Sequence, residues 1–190
     1  LVVDDASPDG TAQLAQEAGA QVIRRTGARG LGPSYRDGFL WALERGYDWI
    51  FQMDADFSHD PLDLPRLKTG ADLSIGSRYV EGGGTKNWAL HRRILSRFGS
   101  FYARMFLQIP VMDLTGGFKC WSAQTLREIE PKSLKSDGYM FQIEANFRAW
   151  QRGARVVEVP ILFTERREGS SKMSGRIARE AAIRVPLLAW

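Results

Sequence analysis

The sequence has few of the residues on which covalent and zinc chemistry rely. Its 190 residues include one cysteine, Cys120, and two histidines, His59 and His91. A lone cysteine closes no internal disulfide, and no Cys/His cluster offers a zinc site, which suits a reducing compartment. Two histidines with no nucleophile paired to either argue against a Ser-His-Asp or Cys-His hydrolase. Cys120 reads as a structural thiol, His59 as a polar loop residue and His91 as a surface or helix-start residue. No apolar run reaches the ~18 residues of a membrane-spanning helix, and no secretory-signal pattern is visible. Disorder is excluded by 44% hydrophobic and 11% aromatic content. This length suits one domain with a single sizeable core.

Charge is present but uneven. The net charge is +4, yet residues 1–95 hold 11 Lys/Arg against 13 Asp/Glu, and residues 96–190 hold 15 against 9. A basic second half implies an anionic partner: a phosphate, a membrane surface or nucleic acid. Nucleic acid is set aside, because no binding motif is present and acidic residues are interspersed.

Short apolar runs alternate with helical patterns. Strands are expected over 1–3, 21–24, 47–53, 71–75 and 156–163. Helices are expected over 12–18 (capped by Thr11), 34–45, 92–108, 141–152 and 177–190, with Pro186 limiting a regular helix in the last of these. Strands alternating with helices imply an α/β fold with a mostly parallel central sheet. The chain opens on Leu1-Val2-Val3, so a preceding strand and helix of the fold are expected to be missing. Residues 1–175 are read as one domain, and 176–190 as an amphipathic C-terminal helix contacting a membrane or partner.

Ligands of such sheets bind beyond the carboxyl ends of the strands. Two acidic motifs fall there, Asp4-Asp5 and Asp54-Ala55-Asp56. Two carboxylates one residue apart can share a hard divalent cation, which prefers carboxylate and phosphate oxygens and retains water. Such a cation would neutralise a diphosphate leaving group. Paired aspartates also serve as caps and solvated loop residues, and Asp9 suits a capping role.

Several segments, in order, carry a resemblance. They are Val3-Asp4-Asp5-Ala6-Ser7-Pro8-Asp9-Gly10-Thr11; Arg29-Gly30-Leu31-Gly32 with Tyr35 and Gly38-Phe39; and Met53-Asp54-Ala55-Asp56-Phe57-Ser58-His59. They continue with Gly76-Ser77-Arg78-Tyr79, Asp113-Leu114-Thr115-Gly116-Gly117-Phe118, Gly138-Tyr139-Met140-Phe141-Gln142-Ile143-Glu144 and Glu158-Val159-Pro160-Ile161. The last is Phe163 followed by Arg166-Arg167-Glu168-Gly169-Ser170-Ser171-Lys172-Met173. Together they resemble family 2 glycosyltransferases, and more narrowly the dolichol-phosphate (polyprenol-phosphate) mannose synthases, over nearly the whole chain. Three departures are visible. A Pro-Thr-Tyr-Asn-Glu-like first strand is absent, Ser58 stands where such proteins often carry Gln, and the stretch 61–70 is short for the expected helix.

The resemblance implies a GT-A fold, a nucleotide-binding α/β sandwich. It also implies transfer of mannose from GDP-mannose to a polyprenyl (dolichyl) phosphate, with inversion and with Mg²⁺ or Mn²⁺. The metal would sit on Asp54 and Asp56. The donor nucleotide would meet Val3, Asp4, Asp5, Gly32, Asp54, Ala55, Asp56, Arg166 and Lys172. Arg78 and Arg92 would take the acceptor phosphate, and Asp56, Arg78, Arg92, Arg166 and Lys172 would form the catalytic set, with Asp113 supporting. A phosphate monoester is itself a nucleophile, so the demands on the protein are electrostatic. Phe98, Phe101, Tyr102, Met105 and Phe106 form an apolar stripe that suits either the lipid chain or core packing. The implied location is peripheral, at the cytoplasmic face of a membrane, with a membrane subunit or fused membrane domain outside this sequence. Two alternatives stay open: a UDP-glucose-dependent polyprenyl-phosphate glucosyltransferase, and an inactive nucleotide-sugar or anion-binding module.

Overall fold

The computed structural model describes residues 1–27, 29–165 and 175–189. Its first unit is β1 (Val2–Asp4), α1 (Thr11–Glu17), β2 (Val22–Arg24) and α2 (Leu31–Glu44). β1 and β2 are parallel, pairing Val2 with Val22 and Asp4 with Arg24, and α1 supplies the crossover that parallel strands need. Gly10, at φ 80°, precedes α1 as its cap residue. Thr11 does not cap the helix as expected. It lies inside it, and both its amide and its hydroxyl donate to Asp9 Oδ1. Gly38 lets α2 lie against β1, since a Cβ there would come within 3.3 Å of Val3. Among the described residues, this pair makes no ladder with the larger sheet.

The larger sheet has the order β3-β6-β4-β7. Its strands are β3 (Trp49–Gln52), β4 (Leu73–Ser77), β6 (Lys119–Ser122) and β7 (Val156–Pro160). β4 and β7 are parallel, whereas β6 runs antiparallel to both β3 and β4. The sequence pattern leaves β6 unassigned, because its four residues Lys-Cys-Trp-Ser do not alternate in polarity. They alternate in direction. Trp121 faces the main core with Phe39, Ile50, Leu73, Ile75 and Phe141, while Cys120 faces a smaller cluster with Leu67, Phe118 and Ile161. Buried Cys120 has its thiol pKa pushed up to about 11 by burial, which keeps it an unreactive thiol.

The strand expected over 156–163 divides in two. β8 (Leu162–Thr164) leaves the central sheet and pairs in parallel with β5 (Gly84–Lys86). Ile161 is the branch point. Its amide donates to Ser77 O (3.0 Å), and its carbonyl accepts from Gly84 N (3.0 Å). Pro160, with no N–H, is the last residue that β7 can use before this change.

Helices cover the sheet and one end. Residues 61–67 form a 3₁₀ turn (Pro61–Asp63) and a single helical turn, α3 (Leu64–Leu67). The longer helices are α4 (Leu90–Leu107), α6 (Gly138–Gln151) and α7 (Gly175–Leu188), with a short α5 (Ala123–Glu128) after β6. Pro186 does not break α7 as expected. Proline removes the donor that would bond the carbonyl four residues earlier, and Tyr102 Oη donates to that carbonyl, Ala182 O, at 2.8 Å instead. Val185 is fully buried, which ties α7 into the main core, whereas Ile183 and Leu187 point outward.

Candidate functional site

The acidic motifs lie at the carboxyl ends of β1 and β3, where the α/β rule places ligands. Each aspartate has a distinct environment. Asp54 Oδ1 accepts from Tyr35 Oη at 2.7 Å, and Tyr35 is held by stacking on Phe141, 5.7 Å between centroids. Burial, reinforced by Asp54, pushes the Tyr35 pKa well up, so the hydroxyl stays a donor. On the other side of Asp54 lies Gly117, where a Cβ would come within 3.0 Å of Oδ2. Any side chain there would occupy the space beside the carboxylate, which is one reason the turn is Gly116-Gly117.

Asp56 is fixed by the residue that departs from the family pattern. Ser58 donates both its hydroxyl and its amide to Asp56 Oδ1, the amide at 3.1 Å, and is 1% exposed. Ser58 therefore orients Asp56. Phe57, between them, has φ 61° and is largely exposed, so the left-handed bend points an aromatic ring outward. Ala55 is exposed beside it. Among the described residues, no group of three or more His, Cys, Asp or Glu side chains could hold a metal. Asp54 and Asp56 provide two carboxylates. That set fits Mg²⁺ or Mn²⁺, which take their remaining oxygens from water and phosphate.

His59 is not the polar loop residue expected. It is 6% exposed, with ring contacts to Phe118 (4.8 Å) and Phe163 (5.1 Å). Burial lowers its pKa, against the pull of Asp54, and Arg78, Asp56 and Asp113 also act on it. Four charged groups thus act on one imidazole.

Asp4 and Asp5 differ as well. Asp4 is buried; its Oδ2 accepts from Ser7 N (3.2 Å), while Oδ1 has no partner among the described residues. Asp5 is engaged twice, with Arg25 and with Gly30 N (2.7 Å), and Arg25 also reaches Asp37 (2.6 Å). Asp5 therefore holds the glycine-rich loop. Gly32 N donates to Asp137 Oδ1 (2.7 Å), and a Cβ at Gly32 would fall 2.4 Å from Ser136 O. The close approach requires glycine. Val3, in β1, is half-buried against α2 at Gly38.

The arginines are paired. Arg78 lies against Asp113 through Nε (2.7 Å) and Nη2 (2.6 Å), its amide also donates to Asp113 (3.0 Å), and Nη2 reaches Thr115 Oγ1 (2.9 Å). Three of its five N–H donors are thus occupied, and Nη1 has no hydrogen bond among the described residues. Burial alone would favour a neutral guanidine, but Asp113 outweighs it and raises the Arg78 pKa. Asp113 is itself placed by Glu158, which accepts from Met112 N (2.6 Å) and Asp113 N (2.9 Å). Gly116 and Gly117 then approach Asp113 and Asp54 respectively, so one turn separates the two carboxylates. Arg92 Nη1 meets both oxygens of Glu165, at 2.6 and 2.5 Å. Arg166 and Lys172 lie outside the described residues. His91 is exposed at the start of α4.

Composition and spacing do not reveal Lys119, which is fully buried on β6 opposite Gln52. Its ammonium donates to Gln142 Oε1 (2.6 Å), which also accepts from Gln52 Nε2 (2.9 Å), and Trp121 Nε1 donates to Gln52 Oε1 (2.9 Å). Desolvation brings the lysine pKa from 10.5 to about 7, although Asp113 and Asp54 favour the charged form. Between these two values the folded state binds fewer protons than the unfolded state, so this group makes stability rise with pH over that window. In denaturant titrations from pH 6.5 to 9.5, wild type should therefore gain on Lys119→Met by a few kcal/mol. Parallel profiles would show that the ammonium is not buried at this point. The detectable signal in the sequence is one lysine inside the apolar stretch Phe118-Lys119-Cys120-Trp121.

The α4 stripe is exposed. Phe98, Phe101 and Met105 are 60%, 57% and 59% exposed, and Leu90 and Ile94 extend the same face toward the helix start. Tyr102, by contrast, packs against the core and bonds α7. Core packing is thereby ruled out for the outer residues of the stripe.

Residues 1–129 match the family described as glycosyl transferase family 2. An undecaprenyl-phosphate mannosyltransferase of Micrococcus luteus is 48% identical over 97% of this chain and 79% of its own length. A polyprenol monophosphomannose synthase of Mycolicibacterium smegmatis is 47% identical over 97% of this chain and 74% of its own. Among solved structures, glucosyl-3-phosphoglycerate synthase of Mycobacterium tuberculosis with phosphoglyceric acid superposes with TM-score 0.75 at 17% identity, over 100% of this chain and 68% of that one. The same enzyme with Mn²⁺, UDP-glucose and phosphoglyceric acid gives 0.74 at 16%, over 99% and 67%. At such identity the structural likeness concerns the fold, a GT-A-like α/β architecture. The chain belongs to glycosyl transferase family 2, and these two relatives are named as polyprenol-phosphate mannosyltransferases.

Proposed function

We propose that the protein transfers mannose from GDP-mannose to the phosphate of a polyprenol, inverting the sugar carbon, with Mg²⁺ or Mn²⁺ held by Asp54 and Asp56. The observation that carries this reading is the turn at Gly116-Gly117, with the Asp54 carboxylate on one side and the Asp113–Arg78 pair on the other. That arrangement supports a diphosphate-binding edge and a phosphate-binding cation within one site. The names of the relatives supply the sugar and the lipid class.

An acceptor phosphate oxygen attacks the anomeric carbon as the bond from that carbon to the diphosphate breaks. The products are polyprenyl phosphomannose and GDP. A phosphate dianion needs no proton removed, so no general base is assigned. When bound, a divalent cation stabilises the charge that develops on the leaving diphosphate. The chain's own residues do the remainder. Tyr35 and Ser58 orient the two carboxylates. Asp4 and Gly32 line the nucleotide side, with Val3, Asp5 and Ala55 close by. Arg166 and Lys172 are assigned to the diphosphate by their place in the matching segment. Arg78 offers Nη1 to the acceptor phosphate, and Arg92 joins it by exchanging Glu165 for that phosphate.

The exposed face of α4 and the outward residues of α7 support a peripheral contact with the membrane that holds the lipid, on its cytoplasmic side. A membrane subunit or fused membrane domain would serve the same end. No described helix is long and apolar enough to cross a membrane. The test offers GDP-mannose and UDP-glucose separately, with undecaprenyl phosphate and Mn²⁺. Mannolipid from the first is expected, and product from UDP-glucose alone would reject the mannose assignment. No product from either donor would leave a binding module.

A further inference from the structure

A row of side chains carries buried nitrogens that have no partner among the described residues. Trp88 Nε1, Arg92 Nε and both ring nitrogens of His59 are buried, and none has a hydrogen-bond partner among the described residues. Ring contacts make the row continuous. His59 is 5.1 Å from Phe163, and Phe163 is 5.0 Å from Trp88 between centroids. The Trp88 ring lies 5.3 Å from the guanidinium carbon of Arg78 and 5.0 Å from that of Arg92.

Buried donors are paired in nearly all native structures, and an orphan is costly unless a ligand or water accepts from it. An indole N–H and an arginine Nε–H can only donate. Their missing partner is therefore an acceptor. Two guanidiniums beside them favour an acceptor that carries negative charge, although each already has one carboxylate partner. Neither arginine is neutralised by Trp88, which keeps a ring face and a donor edge between two cations already paired to Asp113 and Glu165.

We propose that Trp88 binds the acceptor phosphate directly, donating its indole N–H to one phosphate oxygen while Arg92 Nε donates to another. The proposal rests on the acceptor reading of Arg78 and Arg92. It adds a neutral donor of fixed direction, which selects for a terminal phosphate with several free oxygens. It also explains why a tryptophan, and not merely a large ring, stands two residues before α4.

The test separates the indole N–H from the ring. Trp88→Phe keeps an aromatic surface for both guanidiniums and removes the donor. Its KM for undecaprenyl phosphate should rise about tenfold, with kcat and the KM for the donor within about twofold. Trp88→Leu, which loses the ring as well, should lower kcat too. Unchanged acceptor KM in Trp88→Phe would reduce Trp88 to a structural support and overturn the proposal.

A binding measurement stands apart from activity. In ¹⁵N-labelled protein, the indole resonance that is missing from Trp88→Phe is assigned to Trp88. Farnesyl phosphate should move that resonance, and farnesol should not. Movement with inorganic phosphate at equal concentration would identify a general phosphate site, and the lipid-headgroup assignment would fall. If transfer to undecaprenyl phosphate proceeds while farnesyl phosphate leaves the indole in place, the inference fails and the function stands. If no donor supports transfer but the indole still responds, the function fails and the site stands.

Discussion

Asp56→Ala should lower metal-dependent transfer by about a hundredfold to a thousandfold, with little change in fold. The residue is half-buried, and Ser58, two positions away, donates to it through both its amide and its hydroxyl. Its loss removes one of only two carboxylates at the end of β3, and a single carboxylate holds a divalent cation poorly. Mn²⁺ titration of the variant, followed by water-proton relaxation, should show weakened binding, and raised Mn²⁺ should restore part of the rate. Tyr35→Phe provides the graded control. It leaves Asp54 in place without its hydrogen bond and should cost about tenfold in metal affinity. Full activity in Asp56→Ala with unchanged Mn²⁺ binding would remove the metal role from this motif.

Asp113→Ala should be the most destabilising single change, by about 3–5 kcal/mol. Asp113 is fully buried and Arg78 is 7% exposed, so removing the carboxylate strands a guanidinium largely withdrawn from water. The expected readout is a large drop in denaturation midpoint, together with loss of transfer. Asp113→Asn retains an acceptor for one Arg78 nitrogen and should lose less. Arg78→Met combined with Asp113→Leu removes both charges and should recover much of the stability without recovering activity, since a paired deletion leaves no orphan. Wild type itself should weaken in acid. Burial opposes ionisation of Asp113, but Arg78 outweighs it and holds the carboxyl below the usual range. That contribution is complete above the unfolded-state pKa near 4 and is lost as pH falls through the folded-state value. If Asp113→Ala cost less than ~1 kcal/mol, the pair would be solvated and not buried.

These two residues show how unequally the site could be read from the chain. Asp54 and Asp56 are adjacent, follow an apolar strand and stand at its carboxyl end, so their role is written in local order. Asp113 is different. Its importance comes from Arg78, 35 positions earlier, and from Glu158, 45 positions later. Only the antiparallel insertion of β6 between β3 and β4 brings the loop before it against both.

The arginines make the same point. Their positions in the motifs suggest free cations waiting for phosphate. The fold instead gives each a carboxylate, Asp113 for Arg78 and Glu165 for Arg92, because a guanidinium withdrawn from water must be paired. His59 reads from the sequence as a solvated loop residue, and Lys119 carries no local signal of a role. Both are buried, and burial is set by which faces of the sheet are covered.

What the sequence determined by itself was the α/β order, the family and the acidic strand ends. Each depends on neighbours a few residues apart, where strand and helix periods and turn residues act directly. What only the tertiary structure decided was which charge meets which. It brought Trp88 between two arginines, put Lys119 behind the carboxylates and turned the α4 aromatic stripe outward. Those outcomes depend on distance and dielectric between segments remote in the chain, and neither quantity exists until the layers pack.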